Sequence, residues 1–190
     1  YQTSNPAPIT IVGLGNPGKQ YAGTYHNAGA AALDRVADAV GAEKAGKRIK
    51  GALLCRRAKG LVLAQPLAFM NESGAAAALA AKYFRVRPEN ILVMHDDSDL
   101  PLGKFKLAFG RGAAGHKGVA SVIRALGTKD FWRARVGIRP DALRRRKAEE
   151  FVLKKISSAD RATLGQTIEE LIAAIRPSLP EANDSTPSPP

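Results

Sequence analysis

Apolar runs alternate along the chain with amphipathic stretches, and their two periods separate strands from helices. Residues 9–14 are apolar around a single threonine, as a strand buried on both faces requires. Residues 28–40 place Ala32, Val36, Ala39 and Val40 at helical spacing, which predicts a helix with that face inward. Residues 51–57 and 61–65 read as paired strands turned at Lys59-Gly60. Asn71 or Ser73 offers a cap to an alanine-rich helix running to Phe84. Beyond Pro88, residues 90–95 form a further buried strand and 104–109 a short one, before a Gly/Ala-rich loop to Gly115. A helix over 118–126 follows, then a strand over 133–138 with basic residues on alternate positions. The last element is an amphipathic helix over 157–175, capped by Ser157 or Ser158. The pattern predicts one α/β domain over 9–176, a mixed twisted sheet flanked by helices on both faces. Residues 1–8 are expected to be flexible, and the Pro-rich residues 177–190 to be a disordered tail.

The first strand ends in glycines that imitate two nucleotide motifs. Gly13, Gly15 and Gly18 satisfy G-x-G-x-x-G, but that motif needs a helix to open inside the turn, and none is predicted before Ala28. Its acidic residue, expected about 20 positions on, would close a second strand. Asp34 and Asp38 fall in the helix instead. Residues 13–19 also approach a phosphate-binding P-loop, yet Gln20 stands where a metal-binding hydroxyl is required. Neither motif explains the polar cluster of Asn16, Tyr21, His26 and Asn27 that follows.

Charge narrows the partners. The chain of 190 residues carries 29 Lys and Arg against 17 Asp and Glu, a net charge of +12. Such an excess favours a polyanion, nucleic acid before an anionic membrane surface. One cysteine, Cys55, excludes an internal disulfide; it fits a reducing compartment and a strand interior better than a nucleophile. No stretch has the apolar length of a membrane span and no secretory signal is visible, so a cytoplasmic location is expected. The first residue is Tyr1 rather than Met, which keeps an organellar address open.

Polar residues gather in segments 16–27, 65–71, 95–99 and 111–117, each next to a predicted strand or helix, and these are expected to meet at one face of the sheet. His26 is the natural proton carrier, since an imidazole titrates near neutrality. Asp96, Asp97 and Asp99 are the carboxylates available to orient it. Of these, Asp97 is expected to sit in a solvated turn with a local side-chain hydrogen bond. No serine or cysteine stands out as nucleophile, which leaves water. The run His95-Asp96-Asp97-x-Asp99 lacks partners at a recognised metal-ligand spacing, and no metal is expected.

Five ordered segments resemble the bacterial-type peptidyl-tRNA hydrolase family: IVGLGNPGKQYAGTYHNAG at 11–29, QPLAFMNESG at 65–74, ILVMHDDSDLPLGKFKL at 91–107, GAAGHKGVASVIRALGTKDFWRARVGI at 112–138 and EEFVLKKIS at 149–157. The resemblance implies hydrolysis of the ester between a peptide and the 3′-terminal ribose of tRNA, recycling tRNA from aborted translation, without metal or organic cofactor. It implies that His26 is the general base for water, that Asp96 stabilises its active form, and that Asn16 lies beside the histidine. Asn71 would bind the peptide backbone, with Phe69 and Tyr21 in the same cleft. Lys106 and Arg135 would grip the tRNA 5′-phosphate. His116 and Lys117 fall in Gly115-His116-Lys117-Gly118, where the family usually reads Gly-His-Asn-Gly against the substrate end of the tRNA. Lys117 replaces an amide with a point charge. The C-terminal region that often follows the last helix is largely replaced by the Pro-rich tail, and the basic run at 144–147 reads as a solvated loop. The implied partners are peptidyl-tRNA and tRNA, with no membrane, and a monomer is expected. The competing reading is a non-catalytic RNA-binding protein on the same scaffold.

Overall fold

A computed structural model of the chain describes residues 9–179. The flexible segment expected at 1–8 and the tail from 180 onward lie outside the described residues; Pro177 and Ser178 belong to a 3₁₀ turn, Arg176–Ser178, that closes the last helix.

The strands are β1 (Ile9–Gly13), β2 (Lys47–Ile49), β3 (Leu53–Ala58), β4 (Leu61–Pro66), β5 (Ile91–Pro101), β6 (Phe105–Phe109) and β7 (Trp132–Arg139). They form one seven-stranded sheet in the order β2-β3-β4-β1-β5-β7-β6. The centre, from β4 to β7, is parallel, and the antiparallel pairs β2/β3, β3/β4 and β6/β7 make the sheet mixed. Helices α1 (Ala28–Ala39) and α4 (Ser158–Ile175) cover one face; α2 (Ser73–Phe84) and α3 (Lys117–Leu126) cover the other. Successive strand residues serve opposite faces: Ile11 packs on the first face and Val12 on the second, and Leu63 and Ala64 divide in the same way. That double burial explains the unbroken apolar runs of β1 and β4.

Helix α1 buries Ala32, Leu33, Val36 and Ala37, whereas Ala39 faces outward, so the apolar stripe is rotated from the one expected. Strand β2 was not anticipated, because its Lys47 and Arg48 are exposed and only Ile49 is buried. The two-residue turn at Lys59-Gly60 is present, with Gly60 in the left-handed region at φ 61°. Neither Asn71 nor Ser73 caps α2: a 3₁₀ turn, Met70–Glu72, leads into it, and the Ser73 hydroxyl is buried without a partner. Ser157 does cap α4, accepting from the Asp160 amide at 3.1 Å.

Two features place the site. A Cβ on Gly29 would collide with the Met94 carbonyl, so only glycine lets the start of α1 approach β5. The segment before α1 is clamped to the stretch before α4 and to the first turn of α4. Here the His26 amide donates to the Val152 carbonyl at 2.8 Å, and the Tyr25 hydroxyl donates to Asp160 at 2.5 Å. Burial and that carboxylate push the Tyr25 phenol up to about 12.

Candidate active site

The carboxyl ends of β1, β4 and β5, with the loop before α3, surround a cleft of about 580 Å³. Its lining includes Asn16, His26, Phe69, Asn71, Asp96, His116, Lys117 and Arg135. The four polar segments expected at one face of the sheet do come together, but at the carboxyl ends of its central strands. Lys106 and Tyr21 are not among the lining residues. Tyr21 stands behind Phe69, edge-on, with ring centroids 6.1 Å apart, and Phe69 remains 49% exposed at the rim.

One expectation needs correction. Strand β5 does not end at His95 but continues to Pro101, so Asp96 and Asp97 are strand residues. Asp97 is not a solvated turn residue: it is 8% exposed, and Arg135 Nε donates to its Oδ2 at 2.6 Å. The local hydrogen bond was foreseen correctly, since Oδ1 accepts from the Asp99 amide at 2.9 Å. Aspartate disfavours strands, but pairing with β7 through Gly137 and the partners of both carboxylates override that preference here.

At the centre, Asp96 is shared by two imidazoles. His26 Nδ1 lies 2.9 Å from each carboxylate oxygen, and His116 Nε2 lies 2.8 Å from Oδ1. His116 Nδ1 accepts from the amides of Gly118 and Val119 at 3.1 and 3.2 Å, so its proton sits on Nε2 and is given to Asp96. His116 thereby caps α3 and fixes Asp96, and both its ring nitrogens are committed. Burial alone would raise the Asp96 carboxyl. The donated hydrogen bonds of His116 and His26 outweigh it and hold the group well below the usual carboxylate range. With Nδ1–H turned to an ionised carboxylate, His26 presents the Nε2 lone pair as its basic atom. Donor atoms of His26, Asp96 and His116 cluster within 4.8 Å. Their hydrogen bonds account for that closeness, and a metal ion there would have to displace both donated protons.

Asn16 is held at three atoms. Its amide donates to Asn27 Oδ1 at 2.9 Å, its carbonyl accepts from Asn27 Nδ2 at 3.0 Å, and its Oδ1 accepts from the Met70 amide at 2.8 Å. The last bond leaves Nδ2 as its free donor. Asn71 is exposed in the 3₁₀ turn beside it. Lys106 and Arg135 are direct neighbours in the register of β6 and β7, so the two cations do lie together. Lys117 is exposed as the first residue of α3.

Sequence reasoning missed the His116–Asp96 bond, the Asp97–Arg135 pair and the anchoring of Asn16 by Asn27. It placed His95 only at a strand end and in a rejected metal-ligand run; His95 is 2% exposed and donates Nδ1–H to the Asp96 carbonyl at 2.7 Å. Burial, aided by the nearby His116, pushes His95 down from 6.5 to about 3. The unfolded chain therefore takes up this proton near pH 6.5 and the folded one only near 3, so its stability contribution is whole above 6.5 and drains as pH falls toward 3. In His95→Asn, urea midpoints are expected to fall less steeply between pH 7 and pH 4 than in the wild type. Parallel slopes would remove His95 as the cause.

A sequence model of the peptidyl-tRNA hydrolase family matches residues 10–186. A peptidyl-tRNA hydrolase of Mycobacterium bovis (strain BCG / Pasteur 1173P2) is 46% identical over 167 residues, covering 86% of each chain. That of Mycobacterium sp. (strain KMS) is 42% identical over 169 residues at the same coverage. Among solved structures, peptidyl-tRNA hydrolase from Acinetobacter baumannii superposes with a TM-score of 0.80 at 30% identity, covering 90% of this chain and 87% of that one. The α/β fold with an oriented histidine at its carboxyl edge thus falls within a class of hydrolases. The chain belongs to the peptidyl-tRNA hydrolase family.

Proposed function

We propose that the protein hydrolyses the ester between the peptide and the 3′-terminal ribose of peptidyl-tRNA, with His26 as general base. The supporting observation is the His26–Asp96–His116 chain, in which the carboxylate is ionised, buried and shared, and one histidine keeps a free lone pair. Water gives its proton to His26 Nε2 as its oxygen attacks the ester carbonyl. Asp96 stabilises the imidazolium, which then protonates the departing ribose 3′-oxygen. Asn16 Nδ2 is the donor available to the carbonyl oxygen as it gains charge. Asn71 and Phe69 take the peptide and its ester end, with Tyr21 bracing Phe69. Lys106 and Arg135 hold a tRNA phosphate, and His116 is a positioning residue. A cytoplasmic monomer is part of the same proposal. Among the described residues no helix is long and apolar enough to cross a membrane.

The direct test is cleavage of N-blocked aminoacyl-tRNA, with unblocked aminoacyl-tRNA and EDTA-treated enzyme alongside. Rapid cleavage of the blocked substrate alone, unaffected by EDTA, is expected. Tight tRNA binding without cleavage would overturn the reading in favour of an RNA-binding scaffold.

Lys117 contributes by charge. A cation at a helix N-terminus opposes the helix dipole by about 0.3–1 kcal/mol. Lys117→Asn is accordingly expected to stabilise the fold by about that amount while weakening tRNA binding. If Lys117 meets one phosphate of a single strand, the log–log salt slope becomes shallower by about 0.7. An unchanged slope would detach Lys117 from the RNA.

A further inference from the structure

The cleft contains a cation that the roles above leave unused. Arg133 stands on β7 between Val93 of β5 and Ala108 of β6. It lines the cleft, yet it is only 2% exposed, and its Nε is buried without a hydrogen-bond partner. Among the described residues it makes no ion pair, although a buried guanidinium normally has one. Burial, Arg135 and Arg111 all disfavour its charge, and only Asp97 favours it. Asp97 is already engaged by Arg135 and by the Asp99 amide. His95, whose second ring nitrogen is likewise buried and unpartnered, is neutral and supplies no negative charge. Arginine stays protonated in proteins, so Arg133 keeps its charge with no carboxylate among the described residues in ion-pair contact with it.

We propose that Arg133 receives a backbone phosphate of the single-stranded 3′ end of the tRNA, close to the esterified ribose, as a contact separate from the Lys106–Arg135 pair. This rests on the reading above. The ester must reach His26, and Arg133 lines the same cleft, so the phosphate belongs to the last few nucleotides. A peptide esterified through its carboxyl group brings no carboxylate to this end, whereas the nucleic-acid backbone brings a charge at every linkage. The remaining guanidinium donors suit its planar, multi-point recognition.

The test is binding of a fluorescent CCA trinucleotide, with each phosphodiester in turn replaced by an uncharged methylphosphonate. The proteins compared are the wild type, Arg133→Lys and Arg133→Met. Neutralising one linkage is expected to weaken wild-type binding by about tenfold. Arg133→Met should lose a similar factor on the charged trinucleotide and become insensitive to that linkage. Arg133→Lys, which keeps a cation, should retain part of both effects. If Arg133→Met fails to fold, the comparison rests on Arg133→Lys, where reduced sensitivity confined to the same linkage supports the contact. Variants that discriminate charged from neutral linkages as well as the wild type does would overturn it. Cleavage of N-blocked aminoacyl-tRNA is scored separately. A wild type that binds the trinucleotide by that linkage yet fails to hydrolyse would refute the catalytic reading and leave this contact standing.

Discussion

His26→Ala is expected to lower kcat on N-blocked aminoacyl-tRNA by about 10²–10⁴-fold, the range a positioned general base contributes. The loss should fall on kcat, because the cations lie elsewhere: Lys106 and Arg135 on the neighbouring strands β6 and β7, and Lys117 at the start of α3. Folding should survive at a cost of about 1–3 kcal/mol, the penalty for depriving a buried acceptor of one donor. That cost is limited because His116 still donates to Asp96, and because the His26 side chain is 16% exposed, so water can reach the gap. Single-turnover cleavage, tRNA affinity and urea unfolding measured together separate these effects. Cleavage at the wild-type rate would remove His26 from the chemistry. Parallel collapse of rate, affinity and stability would show a structural residue instead.

The parts of the molecule legible in the sequence were those written locally. The apolar run of β1, the start of the first α-helix at Ala28, the Lys59-Gly60 turn and the Ser157 cap each depend on residues a few positions apart. His26 was visible for the same reason, as a histidine in a polar loop after a buried strand. The resemblance to a family selected Asp96 from three candidate carboxylates, a choice spacing left open. What stayed hidden depends on distant contacts: His26 and Asp96 are 70 residues apart, and Asp97 and Arg135 are 38 apart. Strand β5 looked finished at His95 because an acidic cluster follows it and Asp97 read as a solvated turn residue. Only the partners from α3, β7 and the loop after β1 make those charges tolerable inside a sheet. His116 gave a weaker signal still: only the resemblance singled it out, and both its cap to α3 and its bond to Asp96 appear only in three dimensions.

Asp96→Asn provides the sharpest test of the proposed chemistry, because the hydrogen bonds dictate how the introduced amide must sit. His116 Nδ1 is held as an acceptor by two backbone amides, so its Nε2–H remains a donor to the oxygen at the Oδ1 position. The amide NH₂ then takes the Oδ2 position, where it faces His26 Nδ1 at 2.9 Å. Two donors cannot share that contact, so His26 adopts the other neutral tautomer, with the proton on Nε2 and no lone pair toward water. Turnover should fall by about 10²–10⁴-fold with little change in tRNA affinity. Stability should respond to acid pH. Asp96 is held below the usual carboxylate range, so its stabilising contribution is present above about pH 4 and is lost as pH falls through its own lower titration. The variant should lack that component of acid unfolding. Combined with His26→Ala, the substitution should add almost nothing to the loss in kcat, since both remove the same lone pair. Additive losses, or an Asp96→Asn enzyme with wild-type turnover, would show that the carboxylate acts on something other than His26.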